Sequence, residues 1–344
     1  MITGCYTALV TPFTGKTVDY DELTKLADFQ IDSGITGILA VGTTGESPTL
    51  SWEEHNTIIE KISNKTKGKC LCIAGTGSNN TKECLLATGH AKDAGVDAVL
   101  LVDPYYNGPS SLEIRREYIE PVAEKYPDLD IIPYVIPGRT GAQLLPEDLA
   151  IISEKYSNVR CVKEATGDLE NMEKTRKLCI DNYKIFSGDD ALLFEMMKNK
   201  NIDASGVISV ASNIVPASVT KLVRLMENKE YDEAKKLLDG LAPLFDITTV
   251  FTKEISKYGE VTVRARNPLG LKTLMAVLGM IKGGVRKPLG KMTKQGFDKV
   301  VNIAKEVQKN NPELLNPISE FFNVDIEEKL ENSDKMTNLY YNEY

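Results

Sequence analysis

Short apolar runs alternate with longer amphipathic segments along residues 1–226 of the chain. Continuous runs of β-branched and other apolar residues are typical of parallel strands buried on both faces. The segments between them repeat apolar positions at the spacing of an α-helix. The pattern predicts eight strands, at Tyr6–Phe13, Gly37–Gly42, Cys70–Gly75, Ala98–Asp103, Asp130–Tyr134, Val159–Lys163, Tyr183–Ser187 and Gly206–Val210.

Helix-length segments separate these runs, for example Asp21–Gly34 and Thr81–Gly95. The Ser51–Glu54 segment has the sequence of a capping box, in which a serine and a glutamate bind each other's backbone N–H groups. Eight βα units over about 225 residues favour a closed barrel over an open doubly wound sheet. We therefore predict an α/β fold, with a (β/α)8 TIM barrel over residues 1–226.

The remainder of the chain is helical in pattern and shows no further strand-like run. Apolar positions recur at helical spacing in Tyr231–Leu244, Gly270–Met280 and Thr293–Gln308. We expect residues 227–310 to form a helical region that packs on the barrel. Residues 311–344 are polar and acidic, so we expect a tail that is partly disordered.

Composition narrows the classes of partner. The net charge of −8 argues against nucleic acid or an anionic membrane as the main partner. No run approaches the roughly 18 apolar residues of a membrane span, and the N-terminus lacks a signal-peptide pattern. None of the six cysteines forms a C-x-x-C pair, and neither His55 nor His90 has metal-ligand spacing. We expect a cytoplasmic protein with reduced thiols and no metal.

Polar residues follow several predicted strands, at the barrel end where active sites form. Gly42–Ser47 offers backbone N–H groups and hydroxyls for an anion, although a tight capped turn explains it equally well. Tyr105 and Tyr106 follow the fourth strand, where paired tyrosines more often pack or form interfaces. Tyr134 can relay a proton and Arg139 suits a carboxylate, although a packed ring and a solvated arginine account for them equally.

Lys163 ends the sixth predicted strand, among neighbours that should be buried. Lysines are seldom buried unless they are paired or functional. A salt bridge to Glu46 or Glu164 would explain an isolated lysine at this position. Hydroxyls, a phenol and a guanidinium are expected at the same end of the barrel, however, and burial there would lower the lysine pKa and free the amine to attack a carbonyl. The combination predicts keto-acid chemistry.

These residues resemble the dihydrodipicolinate synthase and N-acetylneuraminate lyase family of pyruvate-dependent class I aldolases. The resemblance covers about residues 2 to 310 and extends into the C-terminal region. The motifs that carry it are Gly42–Glu46, Tyr105–Tyr106, Tyr134–Pro137, Val162–Glu164, Ser187–Asp190, Gly206–Val210, Asn267–Pro268 and Arg286–Leu289.

The resemblance implies a role for each site residue. Lys163 would form an imine with pyruvate, and no other cofactor would be needed. The backbone and hydroxyls of Thr43 and Thr44 would hold the pyruvate carboxylate. Tyr134, hydrogen-bonded to Thr43, would move protons during imine formation and condensation.

Further roles involve the pocket wall and a second subunit. Tyr106 of a neighbouring subunit would complete the proton relay, which implies a homotetramer built as a dimer of dimers. Gly188 and Ile208 would line the pyruvate pocket through backbone groups.

Arg139 is similar to the arginine of the synthase branch, which receives the carboxyl end of L-aspartate 4-semialdehyde. The implied product is 4-hydroxytetrahydrodipicolinate, in lysine and diaminopimelate biosynthesis. Thr43 favours the same branch, because the neuraminate lyases tend to have serine there. The alternative is an aldolase that acts on a 2-keto-3-deoxy sugar acid or N-acetylneuraminate through the same Lys163. Val135 and Cys161 depart from the family pattern and leave the second substrate open.

The resemblance also implies a regulatory site for L-lysine, although packing on a helix face explains the same residues equally well. Its residues would be Trp52, His55, Asn79, Glu83 and Tyr105. Outside the family, a phosphate-binding isomerase would need a glycine-rich phosphate loop late in the barrel, whereas Ser187–Asp190 carries two carboxylates. A scaffold protein gives no reason for these polar residues to converge.

Overall fold

Eight short strands pair in parallel and close into a barrel in this computed structural model, which describes residues 1–344. Each strand pairs with its neighbours in the sequence, and the first pairs with the eighth. The predicted (β/α)8 TIM barrel is therefore confirmed. The strands are β1 (Gly4–Ala8), β2 (Gly37–Ala40), β3 (Leu71–Gly75), β4 (Ala98–Val102), β5 (Asp130–Val135), β6 (Cys161–Glu164), β7 (Lys184–Ser187) and β8 (Gly206–Ser209).

Helices follow each strand and pack on the outside of the barrel. The Ser51 hydroxyl accepts from the Glu54 N–H at 3.2 Å and the Glu54 carboxylate accepts from the Ser51 N–H at 3.0 Å, so the capping box is confirmed. The helices are α1 (Tyr20–Asp32), α2 (Trp52–Thr66), α3 (Thr81–Asp93), α4 (residues 111–125, π-helical over Ile114–Ile119), α5 (Pro146–Lys155), α6 (Leu169–Leu178), α7 (Leu193–Lys198) and α8 (Pro216–Glu227).

The first strand is shorter than its apolar run predicts. It ends at Ala8, and Phe13–Thr14 pairs instead with Thr17–Val18 in a separate two-stranded sheet. Pro12 has no N–H group to donate to a ladder, which favours the break between the two strands. The intervening loop lies over the C-terminal end of the barrel, where the Thr11 hydroxyl donates to the Gly45 carbonyl at 2.7 Å.

Side-chain alternation along the strands divides the apolar residues into two cores. One fills the barrel interior and includes Tyr6, Tyr134, Cys161, Phe186 and Ile208. The other, larger core joins the outward faces of the strands to the helices. Because Lys163 lies two residues after Cys161, its side chain projects into the barrel.

A β-hairpin interrupts the C-terminal region, which was predicted to be entirely helical. Strands β9 (Thr249–Ser256) and β10 (Gly259–Arg266) pair antiparallel along their full lengths. Val250 and Ala265 are buried, whereas Arg264 on the opposite face is exposed. The all-helical prediction for residues 227–310 is wrong here, because a strand packed on one face alternates apolar with polar residues and lacks a continuous apolar run.

The predicted C-terminal helices are present on either side of this hairpin. They are α9 (Tyr231–Phe245), α10 (Leu269–Val277) and α11 (Lys294–Asn310). Every residue of α10 except its first is buried, including Lys272. None of the helices in the molecule combines the length and the apolar composition that a membrane span needs.

The tail beyond residue 311 differs from the partly disordered segment expected from its polar composition. It forms α12 (Asn316–Phe322) and α13 (Ile326–Glu331), and Tyr340–Tyr341 pairs with Met292–Thr293. Several apolar side chains of the tail are buried in the core of the molecule. They include Leu314, Leu315, Ile318, Phe322, Ile326 and Leu330.

Candidate active site

Lys163 lies near the C-terminal end of the barrel with its side chain directed inward and only 4% of its surface exposed. Its amine forms no ion pair. Burial lowers the pKa of Lys163 to about 7; the negative charge of Asp190 opposes this shift and the positive charge of Arg139 adds to it. A large fraction of the amine is therefore uncharged and nucleophilic near neutral pH.

Both acidic partners considered for Lys163 are engaged elsewhere. Glu46 forms an ion pair with Lys272 at 2.6 Å, and both side chains are 1% exposed. Glu164 accepts from the Thr166 N–H at 2.7 Å and from the Asn171 amide at 3.1 Å. The salt-bridge interpretation of Lys163 is therefore wrong, because neither carboxylate pairs with its amine.

Tyr134 lies against the amine of Lys163. The Lys163 Nζ is 4.2 Å from the centre of the Tyr134 ring, and the two residues are register partners on β5 and β6. Burial raises the pKa of the Tyr134 phenol to about 12, although the Arg139 charge and contact with the Thr43 side chain oppose the shift. The phenol keeps its proton at neutral pH and can donate it to a nearby oxygen or nitrogen.

The turn after β2 brings two threonines to the same rim. Thr44 is buried, and its hydroxyl oxygen accepts from the Asn267 side-chain amide at 2.9 Å. Thr43 faces a cavity that Tyr134 also lines. Glu46 ends the turn in the left-handed conformation, with φ of 58°.

Gly188 and Ile208 complete the surroundings of Lys163. A Cβ atom at Gly188 would lie 2.8 Å from the Ala165 side chain and 3.1 Å from the Lys163 Cε. Glycine at this position therefore leaves space for the lysine chain. Ile208 belongs to the barrel interior together with Tyr134.

Asp190 acts on Lys163 by charge from the loop after β7. Its Oδ2 accepts from the Val210 and Ala211 N–H groups, each at 2.9 Å. These bonds tie the loop after β7 to the loop after β8. Burial raises the pKa of this carboxyl, and the surrounding hydrogen bonds oppose the shift.

A cavity of about 500 Å³ opens beside Tyr134. Thr43 and Arg139 line it, whereas Lys163 itself lies behind the Tyr134 ring. All five residues of the predicted lysine site line the same cavity, namely Trp52, His55, Asn79, Glu83 and Tyr105. The candidate regulatory residues therefore line the same cavity as Thr43, Tyr134 and Arg139 of the candidate active site.

The tyrosine loop after β4 is held by Asn79. The Asn79 side-chain oxygen accepts from the Tyr105 and Tyr106 N–H groups, at 2.8 and 3.1 Å. The Tyr106 side chain is 70% exposed, whereas Tyr105 contributes to the cavity. The Tyr106 ring is therefore largely open to solvent.

The cysteines and acidic residues show no further reactive cluster. All six thiols are unpaired, and burial raises the pKa of Cys72, Cys84 and Cys161 to about 12. No group of three or more His, Cys, Asp or Glu side chains is arranged to hold a metal ion.

Comparison with known proteins places these features in one family. Residues 1–307 match the model of the Dihydrodipicolinate synthetase family. The chain belongs to this family. The 4-hydroxy-tetrahydrodipicolinate synthases of Syntrophus aciditrophicus and Methanococcus vannielii are 39% and 37% identical to it. These alignments cover 88% and 87% of this chain, and 97% and 96% of the relatives.

Solved structures of the family agree with the fold. The 4-hydroxy-tetrahydrodipicolinate synthase of the thermoacidophilic methanotroph Methylacidiphilum fumariolicum superposes with a TM-score of 0.82 at 34% identity, covering 93% of this chain and 99% of that one. DHDPS from Cyanidioschyzon merolae, solved with lysine bound, gives 0.80 at 31% identity, covering 89% and 98%. The predicted family and the predicted enzyme class, a lyase, are confirmed.

Two departures from the family pattern lie on opposite sides of the barrel wall. Cys161 faces the interior two residues before Lys163. Val135 faces outward and packs in the outer core. Neither residue separates Lys163 from Tyr134.

Two groups that support this site were not predicted from the sequence. Lys272 is a lone lysine within the apolar Leu269–Val277 segment, a signal that burial preferences could have flagged. Asn267 was noted only as part of a family motif, and its bond to Thr44 spans more than 200 residues of sequence. Such a contact has no local signature.

Proposed function

We propose that this protein condenses pyruvate with L-aspartate 4-semialdehyde to 4-hydroxytetrahydrodipicolinate, through an imine on Lys163. The observation that carries the proposal is the buried, unpaired Lys163 amine, whose pKa is about 7 and which lies 4.2 Å from the centre of the Tyr134 ring. Relatives named 4-hydroxy-tetrahydrodipicolinate synthase support the choice of reaction.

The reaction begins with attack of the Lys163 Nζ on the carbonyl carbon of pyruvate. The resulting carbinolamine loses water, with Tyr134 supplying a proton to the departing oxygen, and an imine forms. Thr43 and Thr44 hold the pyruvate carboxylate, and Gly188 and Ile208 bound the pocket. The Tyr134 oxygen, left without its proton by this step, takes up a methyl proton, which gives an enamine, the carbon nucleophile of the condensation.

The enamine carbon attacks the aldehyde carbon of the second substrate, and Tyr134 donates its proton to the aldehyde oxygen. Arg139 binds the carboxylate of this substrate through its planar guanidinium. The substrate amine then attacks the imine carbon and displaces the Lys163 nitrogen, which closes the ring and regenerates the enzyme. The imine itself stabilises the developing carbanion, so no further cofactor is required.

The choice of second substrate is tested by measuring product formation from pyruvate with L-aspartate 4-semialdehyde. Cleavage of 2-keto-3-deoxygluconate and of N-acetylneuraminate is measured in parallel. We expect condensation with the semialdehyde at a kcat/KM at least 100-fold above that of either cleavage, a difference of about 2.7 kcal/mol. Faster cleavage of a sugar acid would contradict the proposal and assign the aldolase activity instead.

We propose that Tyr106 acts in the active site of a neighbouring subunit of a homotetramer. Its 70% exposure and its absence from the lining of the cavity beside Tyr134 support this assignment. Mixed oligomers of Lys163→Ala and Tyr106→Phe test it, because each inactive variant would supply the group that the other lacks. We expect mixing to restore activity, and no recovery in confirmed mixed oligomers would contradict the assignment.

We propose that L-lysine binds in the 500 Å³ cavity and inhibits the enzyme. The lysine-bound DHDPS relative supports this proposal, as does the lining of the cavity by Glu83, Asn79 and His55. Glu83 supplies a carboxylate for a ligand ammonium group. Titration of L-lysine against initial rate should show inhibition that Glu83→Gln weakens, whereas no inhibition at millimolar lysine would contradict it.

A further inference from the structure

The side chain of Glu46 connects the turn that carries Thr43 and Thr44 to the C-terminal region. Both of its carboxylate oxygens are engaged: Oε1 accepts from the Lys272 amine at 2.6 Å, and Oε2 accepts from the Arg286 backbone N–H at 2.8 Å. The left-handed backbone of Glu46 is strained in a residue other than glycine. Contacts from outside the turn therefore hold it in this shape.

Arg286 supplies such contacts from a segment without regular structure. Residues 282–291 form neither a helix nor a strand. The Arg286 guanidinium donates to the Thr49 carbonyl at 3.2 Å and to the Lys16 carbonyl at 2.7 Å. It also donates to both carboxylate oxygens of Glu54, at 2.5 and 2.6 Å. One side chain therefore joins the loops after β1 and β2 to the start of α2.

The Arg286–Glu54 pair has the geometry of a strong ion pair. Two N–H groups bind two carboxylate oxygens, and the arginine and glutamate side chains are only 19% and 22% exposed. The guanidinium lowers the pKa of Glu54 to about 2, although burial opposes the shift. The guanidinium carbon also lies 4.5 Å from the centre of the Phe13 ring. These contacts restrict Arg286 to one orientation, unlike an arginine of a mobile surface pair.

Both ends of the Arg286 segment are attached to other parts of the molecule. At its start, Lys282 pairs with Asp19 at 2.7 Å. Directly after its end, Met292–Thr293 pairs with Tyr340–Tyr341 of the tail. Arg286 fixes the middle of the segment, where its own N–H group meets the threonine turn.

We propose that Arg286 is a positioning residue for the pyruvate carboxylate. It holds Glu46, and thereby keeps the backbone and hydroxyl groups of Thr43 and Thr44 in the geometry that receives this carboxylate. This inference rests on the proposed binding of pyruvate at Lys163. Arg286 does not line the cavity beside Tyr134, so it acts through the turn. A turn held in advance binds its ligand without the loss of conformational entropy that ordering a mobile turn requires.

The first test compares Arg286→Met with Arg160→Met. Arg160 directly precedes β6, at the opposite end of the barrel, and pairs with Asp130 at 2.9 Å, so the control removes the same side chain and charge. We expect the KM for pyruvate to rise about 10-fold in Arg286→Met, because charge-assisted bonds are lost. The kcat and the KM for L-aspartate 4-semialdehyde should stay near the wild-type values. Arg286→Lys should recover part of the loss, and Arg160→Met should match the wild type.

Borohydride trapping with two ketones separates a positioning role from general damage to the fold. Acetone has the ketone group of pyruvate but no carboxylate. The pyruvate concentration that gives half-maximal adduct should rise about 10-fold in Arg286→Met. The rate of acetone trapping at Lys163 should match the wild type, because no carboxylate has to be bound.

Glu54→Gln tests the same pair without removing the arginine. Its glutamine can still cap α2, and we expect the KM for pyruvate to rise about 3-fold. The double variant with Arg286→Met should bind pyruvate no worse than Arg286→Met alone, because both changes break one interaction. If Arg286→Met does not fold, Glu54→Gln and Arg286→Lys provide the same readouts.

Two results would overturn the positioning role while leaving the condensation intact. The first is an unchanged half-maximal pyruvate concentration in the folded variants. The second is an equal loss of trapping with pyruvate and with acetone, which would mean that Arg286 only supports the fold. A wild-type protein that forms no pyruvyl adduct would overturn the proposed function instead.

Discussion

Lys163 and Lys272 are both buried, but their surroundings give them different roles. Lys272 is paired with Glu46 and donates to the Thr11 carbonyl at 2.7 Å, so its charge is satisfied by the protein. Lys163 has no such partner: its amine makes no ion pair or hydrogen bond and faces the Tyr134 ring. Burial lowers the pKa of both amines, to about 7 for Lys163 and about 8 for Lys272. Of the two, only Lys163 has an amine without an ion pair or a hydrogen bond.

The lowered pKa of Lys163 predicts the pH dependence of imine formation. The neutral amine is the nucleophile, and it becomes protonated as the pH falls through about 7. The rate constant for imine formation with pyruvate should therefore rise with pH up to about 7 and level off above it. Stopped-flow measurement of adduct formation across this range checks the midpoint. A midpoint near 10, that of an exposed lysine, would contradict the described environment.

The buried Glu46–Lys272 pair should stabilise the turn that carries Thr43 and Thr44. Lys272→Met would leave the Glu46 charge buried without its partner, and we expect a loss of about 3–5 kcal/mol in the free energy of unfolding. Glu46→Gln with Lys272→Met should lose less, because no buried charge remains. Urea unfolding measures the stability of both variants. The control is Lys253→Met, which breaks the exposed Lys253–Glu260 ion pair. A Lys272→Met loss below about 1 kcal/mol, as for a surface pair, would contradict the assignment.

The sequence could predict the site residues that lie at strand ends. Lys163, Tyr134 and Arg139 each follow an apolar run, and the barrel geometry brings such positions together. Arg266 and Asn267 could not be placed in the same way. They follow a strand that packs on one face only, and their contacts with the barrel join distant parts of the chain.

At the scale of elements, Asp103 links the end of β4 to the segment after β5. Its Oδ2 accepts from the Leu144 N–H at 3.0 Å, while Oδ1 is buried without a partner. Burial raises the pKa of Asp103 to about 8, the Leu144 bond opposes the shift, and the charge of Glu164 adds to it. This carboxyl is therefore mostly protonated at neutral pH, beside the segment that carries Arg139.

Asp103 should make the fold less stable as the pH rises. Its pKa is about 3.9 in an unfolded chain and about 8 in the fold. Between these values the folded state holds a proton that the unfolded state has released, so stability falls across this window. Asp103→Asn should remove that slope and be more stable than the wild type at pH 8 by roughly 2 kcal/mol. Urea unfolding at several pH values measures the slope, and equal slopes in both proteins would contradict the prediction.

The β9–β10 hairpin could not be predicted from runs of apolar residues. Barrel strands are buried on both faces and appear as continuous apolar runs, so all eight could be predicted from the sequence. The hairpin strands carry Thr252, Glu254 and Thr262 among their apolar residues. Such a pattern is compatible with a helix or a loop as well as a strand.

At the scale of the whole molecule, the tail after residue 311 is part of the packed structure. Phe29 of α1 lies 5.2 and 5.3 Å, between ring centres, from Phe321 and Phe322. The match to the family model ends at residue 307, before these two phenylalanines. The average polarity of the tail indicates disorder, but its few apolar residues are buried and hold the tail in the packed structure.

Phe322→Ala should test the role of the tail in stability. Removing this buried ring leaves a cavity against α1, and we expect a loss of about 3 kcal/mol in the free energy of unfolding. Tyr344→Ala, at an exposed aromatic of the same tail, should change it by less than about 0.5 kcal/mol. Urea unfolding compares the two, and equal small effects would mean that the tail contributes nothing to the fold.

Covalent binding of pyruvate by Lys163 can be tested by borohydride trapping. The protein is incubated with pyruvate, reduced with borohydride and weighed intact by mass spectrometry, with Lys163→Ala and Lys272→Ala treated in parallel. We predict one reduced pyruvyl group per chain in the wild type and in any folded Lys272→Ala, and none in Lys163→Ala. A wild-type protein without the adduct, or an adduct that persists in Lys163→Ala, would contradict the account.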